Sequence, residues 1–347
     1  MITGTDDTDR NDVDLLIVGA GPCGLAAAIS AQRAGLRARV LDSGAIASTI
    51  TQYPYYVKFF STAEKLALGG MPFLVSDDKP TRREGLTYYR AVVRHFGLDV
   101  RQYERVLRLE QSERGWLVHS ESMEGQRHRT AARAVCVATG YFGSPNLLGV
   151  PGESLPNVAH VYREGHGAYD QDVVVVGGGN SAAEATLDLW RTGARVTLVH
   201  FGPTFDKKIK PWVLPDVQNR MNEGAIAARW NSRVASIEPG VVTINGPTGA
   251  ERLAARFVYV MTGFAPNTAL LAEAGVPIDP ATGVPDHDPA TLETTLPGLF
   301  IAGVVVAGYD ANKIFIENGR FHGDQIVARL LGQAAPAAPR LSAELDT

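Results

Sequence analysis

The sequence predicts an α/β protein assembled from two copies of one strand–turn–helix–strand unit. Three observations carry this expectation. Gly19-Ala20-Gly21-Pro22-Cys23-Gly24 follows an apolar run and opens a helical stretch. Gly177-Gly178-Gly179-Asn180-Ser181-Ala182 does the same in the second half of the chain. An offset of 23 residues from the leading glycine reaches the end of the next strand in both copies, at Asp42 and at His200. One such turn is a weak signal; two, each in a complete unit and in matching register, specify Rossmann-like dinucleotide-binding units.

In the first copy the strand is Val13 to Val18, the helix Leu25 to Arg33 closed by Ala34-Gly35, and the second strand Ala38 to Leu41 ending in Asp42. The three fingerprint glycines divide the work: a tight turn, close approach of backbone to a pyrophosphate, and close packing of helix on strand. The helix start then offers free N–H groups and a partial positive charge to the phosphates. Asp42 is placed to accept from free ribose hydroxyls. It would also oppose a 2′-phosphate by about 1 to 4 kcal/mol at ~4 Å, so this site suits FAD or NAD rather than NADP.

In the second copy, Asp172 to Val176 is a strand, Ala183 to Thr192 a helix closed by Gly193, and Arg195 to Val199 the next strand. Ala182 fills the third glycine slot, which the pattern allows. His200 replaces the acid, and Lys207, Lys208 and Lys210 lie just beyond. Nothing there repels a phosphate, so NADPH is the better fit.

Each copy ends in a strand and a Thr-Gly turn, at Arg133 to Gly140 and at Arg256 to Gly263. Val100 to Ala132 alternates apolar runs with polar turns and reads as an antiparallel meander. Pro297 to Gly303 is a buried strand with a glycine turn. Asn312 to Leu331 reads as one final helix, with Gly319 and Gly323 inside it for close packing.

Composition narrows the function. The net charge of −4 implies no nucleic-acid partner. Two cysteines without a Cys-x-x-Cys exclude disulfide scaffolds and cysteine-based zinc sites, and fit a reducing cytoplasm. No metal-ligand spacing and no serine nucleophile elbow occurs. The start, Met1 to Val13, is polar and acidic, unlike a signal peptide, and no apolar stretch is long enough to span a membrane.

The two fingerprints, Ala138-Thr139-Gly140 and Pro297-Gly298-Leu299-Phe300-Ile301-Ala302-Gly303 together resemble the thioredoxin-reductase-like flavoproteins. Finer motifs resemble one branch, the YpdA-type bacillithiol disulfide reductases. They are Gly21-Pro22-Cys23-Gly24-Leu25, Tyr53-Pro54, Phe59-Phe60-Ser61 with Glu64-Lys65-Leu66, Lys210-Pro211-Trp212-Val213-Leu214-Pro215, and Phe315-Ile316-Glu317-Asn318-Gly319-Arg320-Phe321-His322-Gly323. The resemblance spans roughly residues 13 to 332. It implies a fold of two Rossmann-like, three-layer ββα domains, the cofactors FAD and NADPH, a low-molecular-weight thiol disulfide as substrate, and a homo-oligomer, dimer or tetramer.

On this reading, 13–165 with 287–332 form the FAD-binding domain, 166–286 the NADPH-binding domain, and 1–12 and 333–347 disordered tails. FAD contacts fall on Gly19, Gly21, Pro22, Cys23, Gly24, Asp42, Ser43, Tyr53, Phe60, Ala138, Thr139, Gly140, Gly303 and Phe315. NADPH contacts fall on Gly177, Gly179, Asn180, Ser181, Ala182, His200, Lys207, Lys208, Lys210, Thr262 and Gly263.

The departures from the family pattern are informative. Asn180 and its neighbours stand where thioredoxin reductases carry a redox dithiol, so no vicinal dithiol relays electrons here. Val304 stands where the flavin pattern has an Asp for the ribityl chain. Phe201 and Gly202 stand where thioredoxin reductases have arginines for the 2′-phosphate. Cys23, at a helix start, is the catalytic candidate: the dipole there favours a thiolate able to attack a disulfide, while a pyrophosphate opposes one. Equally, Cys occupies a slot that needs only a small residue. Cys136, between Val135 and Val137, reads as core, and His322 as either a proton source or a structural residue. A flavin monooxygenase, a ferredoxin- or flavodoxin-NADP reductase and a flavin-based redox sensor stay open as other readings of the same fingerprints.

Overall fold

The computed structural model describes residues 13–207, 209–334 and 336. The tails read as disordered, 1–12 and most of 333–347, lie outside the described residues, as does Lys208. The chain forms two compact units. One comprises the chain up to Thr51, Lys58–Ser144 and the chain from Ala265 on; the other comprises Gln52–Val57 and Pro145–Phe264.

The first unit is built on strand Val13–Val18, which pairs in parallel with Ala38–Leu41 on one side and Arg127–Val137 on the other. Asp99–Arg101 and Leu299–Ile301 extend this parallel sheet at its two ends. Glu104–Ser112, Gly115–Ser122 and Arg127–Val137 form the antiparallel meander, so the meander grows directly from a strand of the parallel sheet. Leu15, Leu16 and Ile17 have no exposed surface, as expected of a strand covered on both faces. Cys136 sits in register with Ile17 and with Phe300 and is wholly buried.

Helix Pro22–Arg33 packs beside the final helix, His322–Leu330. The approach is close enough that a Cβ at Gly323 would stand 2.5 Å from the Ala27 Cα. The helix Arg82–Phe96 starts with a reciprocal Thr81–Glu84 capping box and ends on left-handed Gly97.

The second unit repeats the plan. Ala227–Arg229, Arg195–Val199, Asp172–Val176, Phe257–Val260 and Val158–Ala159 form a parallel sheet in that order. Its central valines alternate between two cores. Val173 and Val175 meet the helical side, with Ala182, Leu187, Leu189 and Val217. Val174 and Val176 meet the three-stranded meander Arg233–Glu238, Gly240–Gly246 and Gly249–Ala255. Meander, sheet and helices are the three layers of a ββα build.

Four boundaries differ from the sequence reading. Gln52–Val57, read within 13–165, packs with the second unit. Residues 145–165 pack with the second unit, because Val158–Ala159 closes its sheet. Residues 265–286 pack with the first, where Leu271 and Val276 join the meander-side core. The final helix is two: Ile316–Gly319, then a turn, then His322–Leu330, preceded by a short 3-10 turn at Ala311–Lys313. Both fingerprint helices also begin earlier than predicted, at Pro22 and Asn180, because the turn residues themselves form the first helical turn. Pro22 at the start has no N–H to leave unpaired. Among the described residues no helix is long and apolar enough to cross a membrane.

Candidate functional site

The first Gly-rich loop is a cradle whose glycines have separable surroundings. Gly19 adopts φ +115, and a Cβ there would stand 2.4 Å from the Ala138 carbonyl oxygen; one at Gly24 would stand 2.0 Å from that of Gly19. Both are packed against backbone. A Cβ at Gly21 would meet nothing within 4 Å, so this face of the loop is open at the helix start. That is the surface a pyrophosphate needs for close approach.

Asp42 braces the loop. Its Oδ2 accepts the Ala20 N–H at 2.6 Å and its Oδ1 the Gly44 N–H at 2.7 Å. Each carboxylate oxygen has a second lone pair for a ribose hydroxyl. Ser43 lies exposed between them. Ala138 and Thr139 close the other side of Gly19, and Gly140 turns the chain at φ +78. The residues fit a dinucleotide with free ribose hydroxyls.

Cys23 stands in the first turn of this helix, and two glycines far along the chain make room for it. A Cβ at Gly303 would lie 3.2 Å from the Cys23 Sγ, and one at Gly319 would lie 2.7 Å from it. Gly303 is held at φ +73, and its N–H donates to His322 Nδ1 at 3.0 Å. The residue keeps partial exposure, but its surroundings desolvate the thiol and push it up to about 12. Burial at this site thus opposes the thiolate that the helix-start dipole favours. Burial, with His287 nearby, likewise pulls His322 down to about 4, and its Nδ1 serves as an acceptor.

Other residues expected around the flavin divide. Phe60 and Phe315 are exposed, at 45% and 41%, in the first unit. Phe59 is buried, where its ring fills the space a side chain at Gly85 would need. Tyr53 falls in the 52–57 segment of the second unit, its phenol pushed up to about 12 by burial.

The second loop repeats the first at its leading glycine. A Cβ at Gly177 would stand 2.4 Å from the Met261 carbonyl oxygen, as that at Gly19 does from Ala138. Thr262 and Gly263 are pinned by Asn146. Its carbonyl accepts the Thr262 hydroxyl at 2.6 Å, its amide donates to the Thr262 carbonyl, and its N–H donates to that of Gly263. Asn146 is distant in sequence and no local pattern marks it. Asn180 accepts the Lys210 N–H at 3.1 Å, and Ser181 is exposed at the helix start.

Lys207 and Lys210 have different surroundings, and Lys208 lies outside the described residues. Lys210 lies beside Glu184 of the helix, with its ammonium 6.0 Å from the Trp212 ring. Lys207 is exposed on the loop. His200, expected to face the ribose, is 3% exposed and packs inward. Ala182 is fully buried under the loop, consistent with a third-glycine slot.

Comparison with known proteins agrees with this geometry. The profile of the pyridine nucleotide-disulphide oxidoreductase family matches residues 16–303. Bacilliredoxin reductase Bdr of Bacillus subtilis (strain 168) is 41% identical over 317 residues, which is 91% of this chain and 96% of that protein. The structure of bacillithiol disulfide reductase Bdr (YpdA) from Bacillus cereus superposes with a TM-score of 0.90 at 40% identity, covering 92% of this chain and 99% of that one. The Staphylococcus aureus protein of the same name gives 0.87 at 36% identity, covering 93% and 99%. The chain belongs to the pyridine nucleotide-disulphide oxidoreductase family, within its bacillithiol disulfide reductase Bdr (YpdA) branch.

Proposed function

We propose that this chain is an FAD-containing, NADPH-dependent reductase of a low-molecular-weight thiol disulfide, acting in the cytoplasm as a homo-oligomer. FAD and NADPH are the cofactors of its family. The observation that carries the reading is the pair of matched cradles in one chain that has no vicinal dithiol. The only cysteines are Cys23, against Gly303 and Gly319, and Cys136, sealed in the sheet.

When bound, FAD supplies two-electron chemistry, taking hydride from NADPH and delivering electrons to a disulfide. The chain supplies position. The open face of Gly21 and the helix start take the flavin pyrophosphate, Asp42 takes the adenosine ribose, and Gly177 to Ala182 take the pyrophosphate of NADPH. Cys23 is the candidate thiol for exchange with the substrate, and its proton must leave before it can attack. One relative is named for a bacilliredoxin and two for bacillithiol disulfide. Both acceptors present a disulfide, and the absence of a dithiol relay supports the small one.

Stopped-flow reduction by NADPH, followed by reoxidation with bacillithiol disulfide, with a bacilliredoxin mixed disulfide and with oxygen, tests the reading. Fast reoxidation by bacillithiol disulfide is expected. Fast reoxidation only by the protein disulfide moves the substrate to bacilliredoxin. An oxygenated product formed from a soft nucleophile would instead mark a monooxygenase.

A further inference from the structure

The position after the second strand of a dinucleotide unit faces the adenosine ribose. An acid there selects free hydroxyls, and a nearby arginine accommodates a 2′-phosphate. In the second unit this position is His200, which faces inward. Its ring fills the space over two glycines: a Cβ at Gly178 would stand 2.2 Å from it, and one at Gly202 2.7 Å. It makes an edge-on contact with Trp230, 6.0 Å between centroids. His200 therefore acts as a floor, and the surface of the site belongs to its neighbours.

Those neighbours are Phe201 and Arg233. Phe201 is 60% exposed. Backbone hydrogen bonds lace its segment to the next one: the Ser232 N–H donates to the His200 carbonyl, and the Asn231 N–H to that of Gly202. Asn231 turns at φ 50, so the following strand starts at Arg233. This places the Arg233 guanidinium over the Phe201 ring, 4.8 Å from its centroid.

The other arginines of this region are committed to acids. Arg229 is paired with Glu251, and Arg220 with Asp216 and Glu223. Among the described residues, no carboxylate lies within ion-pair distance of Arg233.

We infer that Arg233, held on Phe201, is the residue that reads the 2′-phosphate of NADPH. This deepens the assignment of the second cradle to NADPH and rests on it. A guanidinium presents a rigid fork of donors that matches a phosphate in bidentate fashion. Stacking on Phe201 fixes the fork before the ligand arrives, which lowers the ordering cost of binding. Lys210 instead lies near Glu184 of the helix.

The test uses the FAD-loaded full chain and two probes, adenosine 2′,5′-bisphosphate and 5′-AMP, by calorimetry, with kcat/KM for NADPH and NADH alongside. Wild type is expected to bind the bisphosphate more tightly than 5′-AMP. Arg233→Ala is expected to reduce that preference, and the NADPH/NADH ratio of kcat/KM, by roughly 10- to 100-fold, the scale of a lost charged hydrogen bond. Arg233→Lys is expected to restore part of it.

If wild type discriminates but Arg233→Ala keeps the full ratio, or if Lys207→Ala or Lys210→Ala abolishes it instead, the inference is wrong and the NADPH assignment stands. If wild type shows no preference for the bisphosphate, both fall together.

Discussion

His322 Nδ1 accepts the backbone N–H of Gly303 at 3.0 Å, while Gly303 itself lies against the Cys23 side chain. The bond fixes the imidazole as its Nε2–H tautomer, since a protonated ring has no lone pair at Nδ1. It also ties the start of the last helix to the glycine turn beneath the thiol.

That bond is expected to make the fold acid-sensitive in a defined window. His322 has an ordinary value of 6.5 and is lowered to about 4 by burial, with a smaller effect from His287. Its folded value is below its unfolded one, so the unfolded chain binds the extra proton between these limits. The stability it contributes is complete above pH 6.5 and is lost as pH falls toward 4. The loss amounts to about 3 kcal/mol. His322→Asn offers an acceptor that does not titrate. Urea midpoints of the two proteins are expected to converge as pH drops from 7.5 to 4.5. Parallel profiles would show that the ring does not titrate in this way.

Gly319 is required by the thiol rather than by the helix. A Cβ there would stand 2.7 Å from the Cys23 Sγ and 3.3 Å from the Gly303 Cα. Gly319→Ala is therefore expected to destabilise by about 1 to 3 kcal/mol, the usual scale for overpacking. In a Cys23→Ala background the nearest obstacle is gone, and at least half of that cost is expected to disappear. A double-mutant cycle on urea stability reads the coupling. Additive effects would mean that the glycine answers to Gly303 and Ile314 rather than to the thiol.

Burial sets the reactivity of both thiols. Cys23 is pushed up to about 12 and Cys136 is raised further, both chiefly by burial. Thiolate is the reactive form. Ellman titration of the native chain at pH 8 is expected to modify less than one thiol in the time that guanidinium-unfolded protein takes to modify both. Prompt native reaction of one thiol, abolished by Cys23→Ala, would mean that the thiolate forms despite its enclosure.

Much of this arrangement was legible in the sequence because it is local. The two loops, the role of Asp42 as a carboxylate beside the first loop and the meander follow from glycine spacing, an acid at a fixed offset and alternating apolar residues. The site around Cys23 was not legible, because it joins residue 23 to 303, 319 and 322 and no spacing rule connects them. The break in the last helix is not legible either: Gly319 reads locally as a packing glycine, and its close approach to Cys23 joins positions far apart in the chain. Lys210 is close to His200 in the chain, while in the fold it lies near Glu184 of the helix; Arg233 lies over the Phe201 ring, a pairing that no spacing rule marks.

Asp206 stands beside Gly179, where an acid opposes a phosphate entering the second cradle. Its N–H donates to the Gly178 carbonyl at 2.9 Å, and its carboxylate lies 3.6 Å from where a Gly179 side chain would begin. It also lies 3.7 Å from His200 Nε2, whose own value is lowered by burial, so this contact is not a full ion pair at neutral pH. A pyrophosphate entering the second cradle meets this negative charge. The side chain is 55% exposed, so solvent screens the repulsion to well below its buried value. Asp206→Asn keeps the size and the backbone bond while removing the charge. Its affinity for NADPH, measured by calorimetry on the FAD-loaded protein at low ionic strength, is expected to rise by roughly two- to fivefold, with the gain shrinking as salt is added. An affinity that falls, or a gain indifferent to salt, would show that the carboxylate positions the loop for binding instead of opposing the phosphates.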